Sequence, residues 1–268
     1  YMKVPPDDTD ALGAKPMAAD LARIRAVTSR EQLAGLMGAS AKGFGSSVFS
    51  VYVYDDAKAP DRYAVYLGQA GLGLPDRDYY LKPDFAPQKA KYEAYVAQML
   101  TLAGWDKPAE HAKAIVDFET KIAEVSWPGA GRRGRGKTYN PYTVTKLAAE
   151  ARGFDWKSFL AGADLGSVTD VIASENTAFP KIAAIYAATP LDTLKAWTAF
   201  SLADNAAPYL PKAFDRAHYE FRDKTLSGQP EQKPRWKRGV ALVDSQIGEA
   251  LPKPYVAEYF PPESKAKM

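Results

Sequence analysis

Two apolar stripes of helical period, separated by a four-residue break, constrain this chain more than any other feature. Tyr92, Tyr95, Val96, Met99, Leu100 and Ala103 recur at intervals of three and four, the spacing that places side chains on one face of an α-helix. Ile115, Phe118, Ile122 and Val125 repeat the pattern. Trp105-Asp106-Lys107-Pro108 lies between them, with the proline where a helix accepts one, at its first position. Helices joined so tightly must turn back on each other, and an antiparallel helical hairpin is expected.

More helices are expected downstream. One opens at Asn140-Pro141, with Asn140 as its cap, and carries Val144 and Leu147-Ala148. A short one covers Trp156 to Leu160. Ile182, Ile185 and Tyr186 form a stripe that stops at Thr189-Pro190, after which Leu191, Leu194, Trp197 and Leu202 form another. Pro211 begins a helix running through Phe214, His218 and Phe221 to Ser227-Gly228, and Trp236 to Leu251 reads as the last long one. One region breaks the period. Val48 to Tyr54 and Tyr63 to Leu67 are rich in β-branched and aromatic residues, with the polar stretch Asp55 to Asp61 between them. The expectation is a mainly α, multi-helix bundle-like domain spanning residues 1–268, with one β-hairpin near the N-terminus at about 48–68.

Several chemistries are excluded by simple counts. The 268 residues include no cysteine, which removes disulfides, cysteine zinc sites and thiol nucleophiles. The two histidines, His111 and His218, are far apart, and an H-E-x-x-H zinc helix needs two at a spacing of four. A Ser-His-Asp arrangement needs only one, but no G-x-S-x-G elbow is present. Thirty-five Lys and Arg against 32 Asp and Glu leave a net charge of +3, too little to imply a polyanion partner. No apolar run approaches the roughly 20 residues of a membrane span. The chain opens at Tyr1 without a basic and apolar leader, and Pro261 to Met268 reads as a helix just starting. It is therefore expected to be a piece, cut at both ends.

Three groups merit inspection as sites. Gly71-Leu72-Gly73-Leu74-Pro75-Asp76-Arg77-Asp78 resembles a phosphate-cradling loop superficially, but lacks both the G-x-G-x-x-G spacing and a following Lys-Ser/Thr. It reads as a turn in which Arg77 pairs with Asp76 and Asp78 to lock the hairpin to a helix. Arg132-Arg133-Gly134-Arg135-Gly136-Lys137 is the one dense basic run. Its glycines and its lack of interleaved aromatics favour a solvated loop over nucleic-acid contact. His111 and His218 each stand alone on a helix, the setting of a hydrogen-bonding residue more than of a ligand or base. No catalytic, cofactor-binding or metal-binding residue is assigned.

The punctuating motifs, taken in order, resemble the neprilysin/endothelin-converting-enzyme family of zinc metallopeptidases, especially its bacterial oligopeptidase-type members. They are Tyr66-Leu67-Gly68-Gln69 into Gly71 to Leu81, Glu119-Thr120-Lys121-Ile122-Ala123, Lys137 to Thr143, Gly153-Phe154-Asp155-Trp156, Leu226-Ser227-Gly228, Pro234-Arg235-Trp236-Lys237-Arg238, and Tyr255-Val256 leading to Tyr259-Phe260. The likeness runs from about Ala18 onward. It implies the family's helical N-terminal cap, which faces a thermolysin-like catalytic domain across a chamber that admits peptides and excludes folded proteins. The family's zinc-binding helix, glutamate ligand and substrate-backbone strand would all lie beyond Met268.

On that resemblance the parent protein is a zinc metalloendopeptidase, in which zinc-activated water attacks a peptide carbonyl with a glutamate as general base. This chain alone is inactive and holds no cofactor. Its partners are peptide substrates and the C-terminal catalytic domain of the same protein, with no nucleic acid and no membrane segment. Its location is extracytoplasmic, bacterial periplasm or secreted. Gly239 stands where the family commonly has a cysteine after Arg-Trp-Lys-Arg, which fits a disulfide-free bacterial member. Where the family usually reads Ala-Leu-Gly before its Tyr-Val, this chain has Ala250-Leu251-Pro252-Lys253-Pro254, two prolines that a helix interior does not accept, and the 132–137 loop departs from a more acidic version. The alternative is a non-catalytic helical interaction module.

Overall fold

The helical hairpin occupies the middle of the core. In the computed structural model, which describes residues 10–134 and 136–267, its first helix ends at Leu102 in a Schellman turn. Gly104 sits at φ +64°, the Trp105 N–H bonds the Leu100 carbonyl at 2.9 Å, and the Gly104 N–H bonds that of Thr101 at 3.0 Å. The second helix starts on Pro108 after Lys107 in a left-handed conformation.

The elements in chain order are α1 (Ala18–Arg25), α2 (Arg30–Ala39), β1 (Phe49–Asp56), β2 (Ala59–Gln69), α3 (Asp78–Leu81), α4 (Ala86–Leu102) and α5 (Pro108–Val125). There follow β3 (Pro141–Thr143), α6 (Val144–Glu150), α7 (Trp156–Gly162), β4 (Asp170–Ala173), α8 (Phe179–Ala188), α9 (Leu191–Ala206) and α10 (Lys212–His218). After α10 the chain winds as a π-helix over Tyr219–Leu226, and α11 (Arg235–Ile247), α12 (Pro252–Tyr259) and α13 (Pro262–Ala266) complete it.

The mainly α expectation holds, and the β-hairpin is present as β1 and β2. It belongs to a larger element that the sequence pattern does not reveal: a four-stranded sheet in the order β1-β2-β4-β3. β2 runs parallel to β4, pairing Tyr66 with Ile172 and Leu67 with Ala173, and β3 closes the far edge antiparallel to β4. Asn140 is corrected with it. Thr143 caps α6, its side chain accepting from the Lys146 N–H at 3.1 Å. The Asn140 amide instead donates to the carbonyls of Lys137, Ala173 and Ser174 at 2.8–3.1 Å, tying the approach to β3 onto the end of β4. The helix expected from Pro211 to Gly228 is also divided, because its second half adopts π winding. At the hairpin tip the buried Asp56 accepts from Tyr139 and from Arg62, which hold its carboxyl down to about 2.

Aromatic side chains join sheet and helices. Phe49, at the start of β1, contacts Trp156 at 4.5 Å and Phe154 and Phe179 at 4.9 Å between ring centroids, and Trp156 stacks on Phe179. The α2–α7 contact is closer than side chains would permit. A Cβ on Gly38 would lie 1.9 Å from the Phe159 carbonyl oxygen, and one on Gly162 would lie 2.1 Å from that of Gly35. Helix propensity favours Gly38→Ala by about 1 kcal/mol, whereas overpacking costs about 1–3 kcal/mol or more where the obstacle is backbone that cannot rotate away. Gly38→Ala is therefore expected to lower the urea midpoint. Gly43→Ala, where nothing lies within 4 Å of the added carbon, leaves it in place; equal midpoints for the two variants would refute the contact.

Candidate functional site

Four elements meet on one carboxylate. Glu119 projects from the apolar face of α5, between Ile115 and Ile122, and is fully buried. Its Oε2 accepts from the Tyr80 hydroxyl of α3 at 2.7 Å; its Oε1 accepts from the Tyr92 hydroxyl of α4 at 3.1 Å and from the Trp197 indole N–H of α9 at 2.8 Å. The Tyr80 hydroxyl in turn accepts from the backbone N–H groups of Gly73 and Leu74 at 3.0 and 2.8 Å. The glycine turn after β2 is thereby connected through Tyr80 to the centre of the helical core. Gly73 has to be glycine, since a Cβ there would sit 1.7 Å from the Tyr92 hydroxyl oxygen.

A second polar junction adjoins the first. Arg222, on the π-helix, donates to both carboxylate oxygens of Asp204 on α9 and to the carbonyl of Gly73. Its guanidinium lies 5.4–5.6 Å from the ring centroids of Tyr92, Tyr95 and Phe221. The Tyr95 hydroxyl donates to Asp204 at 2.5 Å, and His218 Nε2 stands 4.0 Å from the same oxygen. The extra residue per turn of the π winding places Arg222 and Phe221 together against α4. Sequence reading passed over this arrangement, although a glutamate at a core-facing helical position is a visible signal for it.

These junctions border a cavity of about 680 Å³ that extends past the glycine turn to Trp127 and Arg132. A smaller hollow of about 300 Å³, lined by Tyr52, Arg132, Arg133 and Glu175, shares Arg132 with it. Burial pushes the Glu119 carboxyl up to about 7 against the pull of its three donors. Burial also lowers His218 below its usual value, against the pull of Asp204. Both Glu119 oxygens are occupied by donors from three other elements, so the group serves as a structural junction.

The sequence candidates are placed as follows. Arg77 does lock the turn to a helix, but not through Asp76 and Asp78: its Nε and one terminal nitrogen donate to the last carbonyls of α5, Ala123 and Glu124, at 2.9 and 3.3 Å, where a cation meets the negative end of the helix dipole. Asp78 pairs instead with Lys82. His111 lies in the first turn of α5, remote in sequence and element from His218. Arg132 pairs through Nε with the buried Glu175 at 3.0 Å, and Arg133 is exposed; Arg135, like Tyr1, lies outside the described residues. Among the described residues, no three His, Asp or Glu side chains converge as metal ligands would, so these residues do not fit a zinc site. Nor, among them, is any helix long and apolar enough to cross a membrane.

Residues 6–268 match peptidase family M13, in its N-terminal region. Endothelin-converting enzyme 1 of Cavia porcellus is 28 % identical over 228 residues, which are 82 % of this chain and 30 % of that protein. The zinc metalloprotease Zmp1 of Mycobacterium tuberculosis, in a cryo-EM structure of its open state, is 31 % identical with a TM-score of 0.89, covering 97 % of this chain and 41 % of that one. In complex with an inhibitor it is 32 % identical at the same TM-score, covering 95 % and 39 %. The chain thus spans about a third of the length of the endothelin-converting enzymes and two fifths of Zmp1. The match agrees with the resemblance carried by the ordered motifs.

The Glu119 junction has a pH signature. Its carboxyl titrates near 4.5 unfolded and near 7 folded, so between those values the native state holds more proton than the unfolded state. Stability falls as pH rises through that window, by up to roughly 1.4 kcal/mol per pH unit. His218, lowered when folded, acts in the opposite sense below its unfolded value of 6.5. The difference in unfolding free energy between the parent chain and Glu119→Gln therefore shrinks from pH 5 to pH 7.5. The variant itself is less stable at pH 5 by about 1–3 kcal/mol, because its amide nitrogen faces a donor. A pH-independent difference would contradict the buried, raised carboxyl.

Proposed function

Because the chain belongs to peptidase family M13, we propose that residues 1–268 form the cap side of the substrate chamber of a zinc metalloendopeptidase. The observation that carries the reading is one of extent. The family match takes in nearly the whole chain, yet the chain accounts for only 41 % of the Zmp1 structure it superposes on. In this reading zinc and the hydrolytic groups belong to polypeptide outside these 268 residues, and no step of the reaction is assigned to a residue here.

Two surfaces support a further partner within the same protein. Trp236, Val240, Val243 and Ile247 fall at intervals of four, three and four along α11 and leave one apolar face of that helix exposed. At the hairpin tip Tyr54 and Tyr63 are 65 % and 76 % exposed. Apolar faces of this kind are covered when another folded unit docks, and the catalytic domain is the occupant this reading supplies.

The cap's own contribution is selection. A wall held by the Glu119 and Arg222 junctions is rigid enough to exclude folded proteins while admitting peptides, and closure of the two halves gates entry. The chain by itself cleaves nothing, and the whole protein works outside the cytoplasm on peptides. The test uses the protein at its natural length with a fluorogenic peptide. Cleavage is expected to cease on chelation and return with zinc, while the 268-residue chain is inert with or without the metal. Cleavage that survives chelation, or a gene with no H-E-x-x-H codons, overturns the reading.

A further inference from the structure

The basic loop, which the core does not use, borders the smaller hollow. Glu175 is buried and fully engaged: its Oε2 accepts the Gln69 backbone N–H at 2.8 Å and its Oε1 the Arg132 Nε at 3.0 Å. Arg132 is therefore held from the side, through Nε, by a fixed carboxylate. That leaves the two terminal nitrogens of its planar fork as donors toward the hollows it borders. Arg133 lines the same hollow and is exposed, and Tyr52 flanks it with a half-exposed ring stacked on Tyr66 at 5.3 Å. Gly68 keeps the adjacent sheet surface clear, because a side chain there would strike Ser50 Oγ at 2.7 Å and approach Glu175 Oε2 at 3.5 Å.

From this arrangement we infer that the hollow between Tyr52, Arg132 and Arg133 is a binding subsite for the carboxylate of a peptide, contributed by an acidic side chain or by the C-terminus. The charge balance selects a monoanion. Arg132 and Arg133 bring two positive charges to the hollow's lining and Glu175 one negative charge, which leaves one positive charge to be met. A single carboxylate completes the forked Arg pairing, whereas a phosphate dianion or a polyanion brings extra negative charge against Glu175. The volume points the same way. About 300 Å³ accommodates one or two residues, and the shared Arg132 leads into the 680 Å³ cavity, where the rest of an extended peptide continues. The peptide as ligand rests on the chamber reading above; the carboxylate preference rests on the arginine geometry.

The experiment measures binding without hydrolysis. The protein at natural length, held in chelator, is titrated against labelled octapeptides that differ only by Glu or Gln at one position and by a free or amidated C-terminus. Fluorescence anisotropy is read at low salt and at 150 mM salt. Charge-assisted pairing predicts at least about tenfold tighter binding for one carboxylate-bearing member of the set than for its neutral twin, weakened by salt. The twin comparison identifies which carboxylate is read. Arg133→Glu, at an exposed position whose fold is checked by circular dichroism and melting temperature, is expected to erase the preference. Equal affinities across the set, no saturable binding to millimolar concentration, or a preference that survives Arg133→Glu each overturns the subsite. So does a single-stranded oligonucleotide that binds more tightly than the acidic peptide and displaces it. Failure here with cleavage still sensitive to chelation leaves the peptidase reading standing, and carboxylate preference without any chelator-sensitive cleavage separates the two in the opposite direction.

Discussion

Everything at the centre of this molecule is arranged around a carboxylate that burial would rather protonate. Glu119 is enclosed on all sides, yet three donors from three other elements converge on its two oxygens. Desolvation and hydrogen bonding pull its proton affinity in opposite directions, and desolvation wins by enough to bring the group to about 7. What the group secures is position. Apolar contacts among α3, α4, α5 and α9 would tolerate small rotations of each helix, whereas hydrogen bonds of 2.7–3.1 Å tolerate little. Arg222 and Asp204 extend the same constraint to the π-helix and, through the Gly73 carbonyl, back to the turn after β2.

The α-helices were legible where their periodicity is local and long. The stripes from Tyr92 and Ile115 needed no information beyond themselves, and Pro108 marked a real boundary. β3 and β4 were not legible, because three or four residues carry no period and their pairing comes from segments far away in sequence. Asn140 shows the same limit in one residue: Asn-Pro before an apolar run has the form of a cap, but where its amide points is decided by β4, thirty-odd positions later. Arg77 was assigned the right task with the wrong partners, since adjacent aspartates are obvious in a sequence and the carbonyl end of a helix 46 residues downstream is not. Glu119 was the missed opportunity. It stands at a core-facing position of the α5 stripe, and a charged residue there requires partners.

The relation to Zmp1 has a division of its own. Identity near 31 % accompanies a TM-score of 0.89, so the fold persists while about two residues in three differ. The hollow edged by Arg132 and Arg133 lies on a loop, yet Arg132 is held by Glu175, a buried residue attached to the end of the sheet. Binding preference can thus change by loop replacement without disturbing the framework that aims it.

The backbone contact between α2 and α7 carries a mechanical consequence. Helices separated by side chains can slide, because rotamers rearrange as ridges pass grooves. At Gly38 and Gly162 there is nothing to rearrange: the carbonyls of Phe159 and Gly35 occupy the space where side chains would begin. The two backbones are in direct contact along this pair, so α2 and α7 pack as one unit. Since Trp156 begins α7 and contacts Phe49, a displacement of α2 would be felt first at that aromatic cluster.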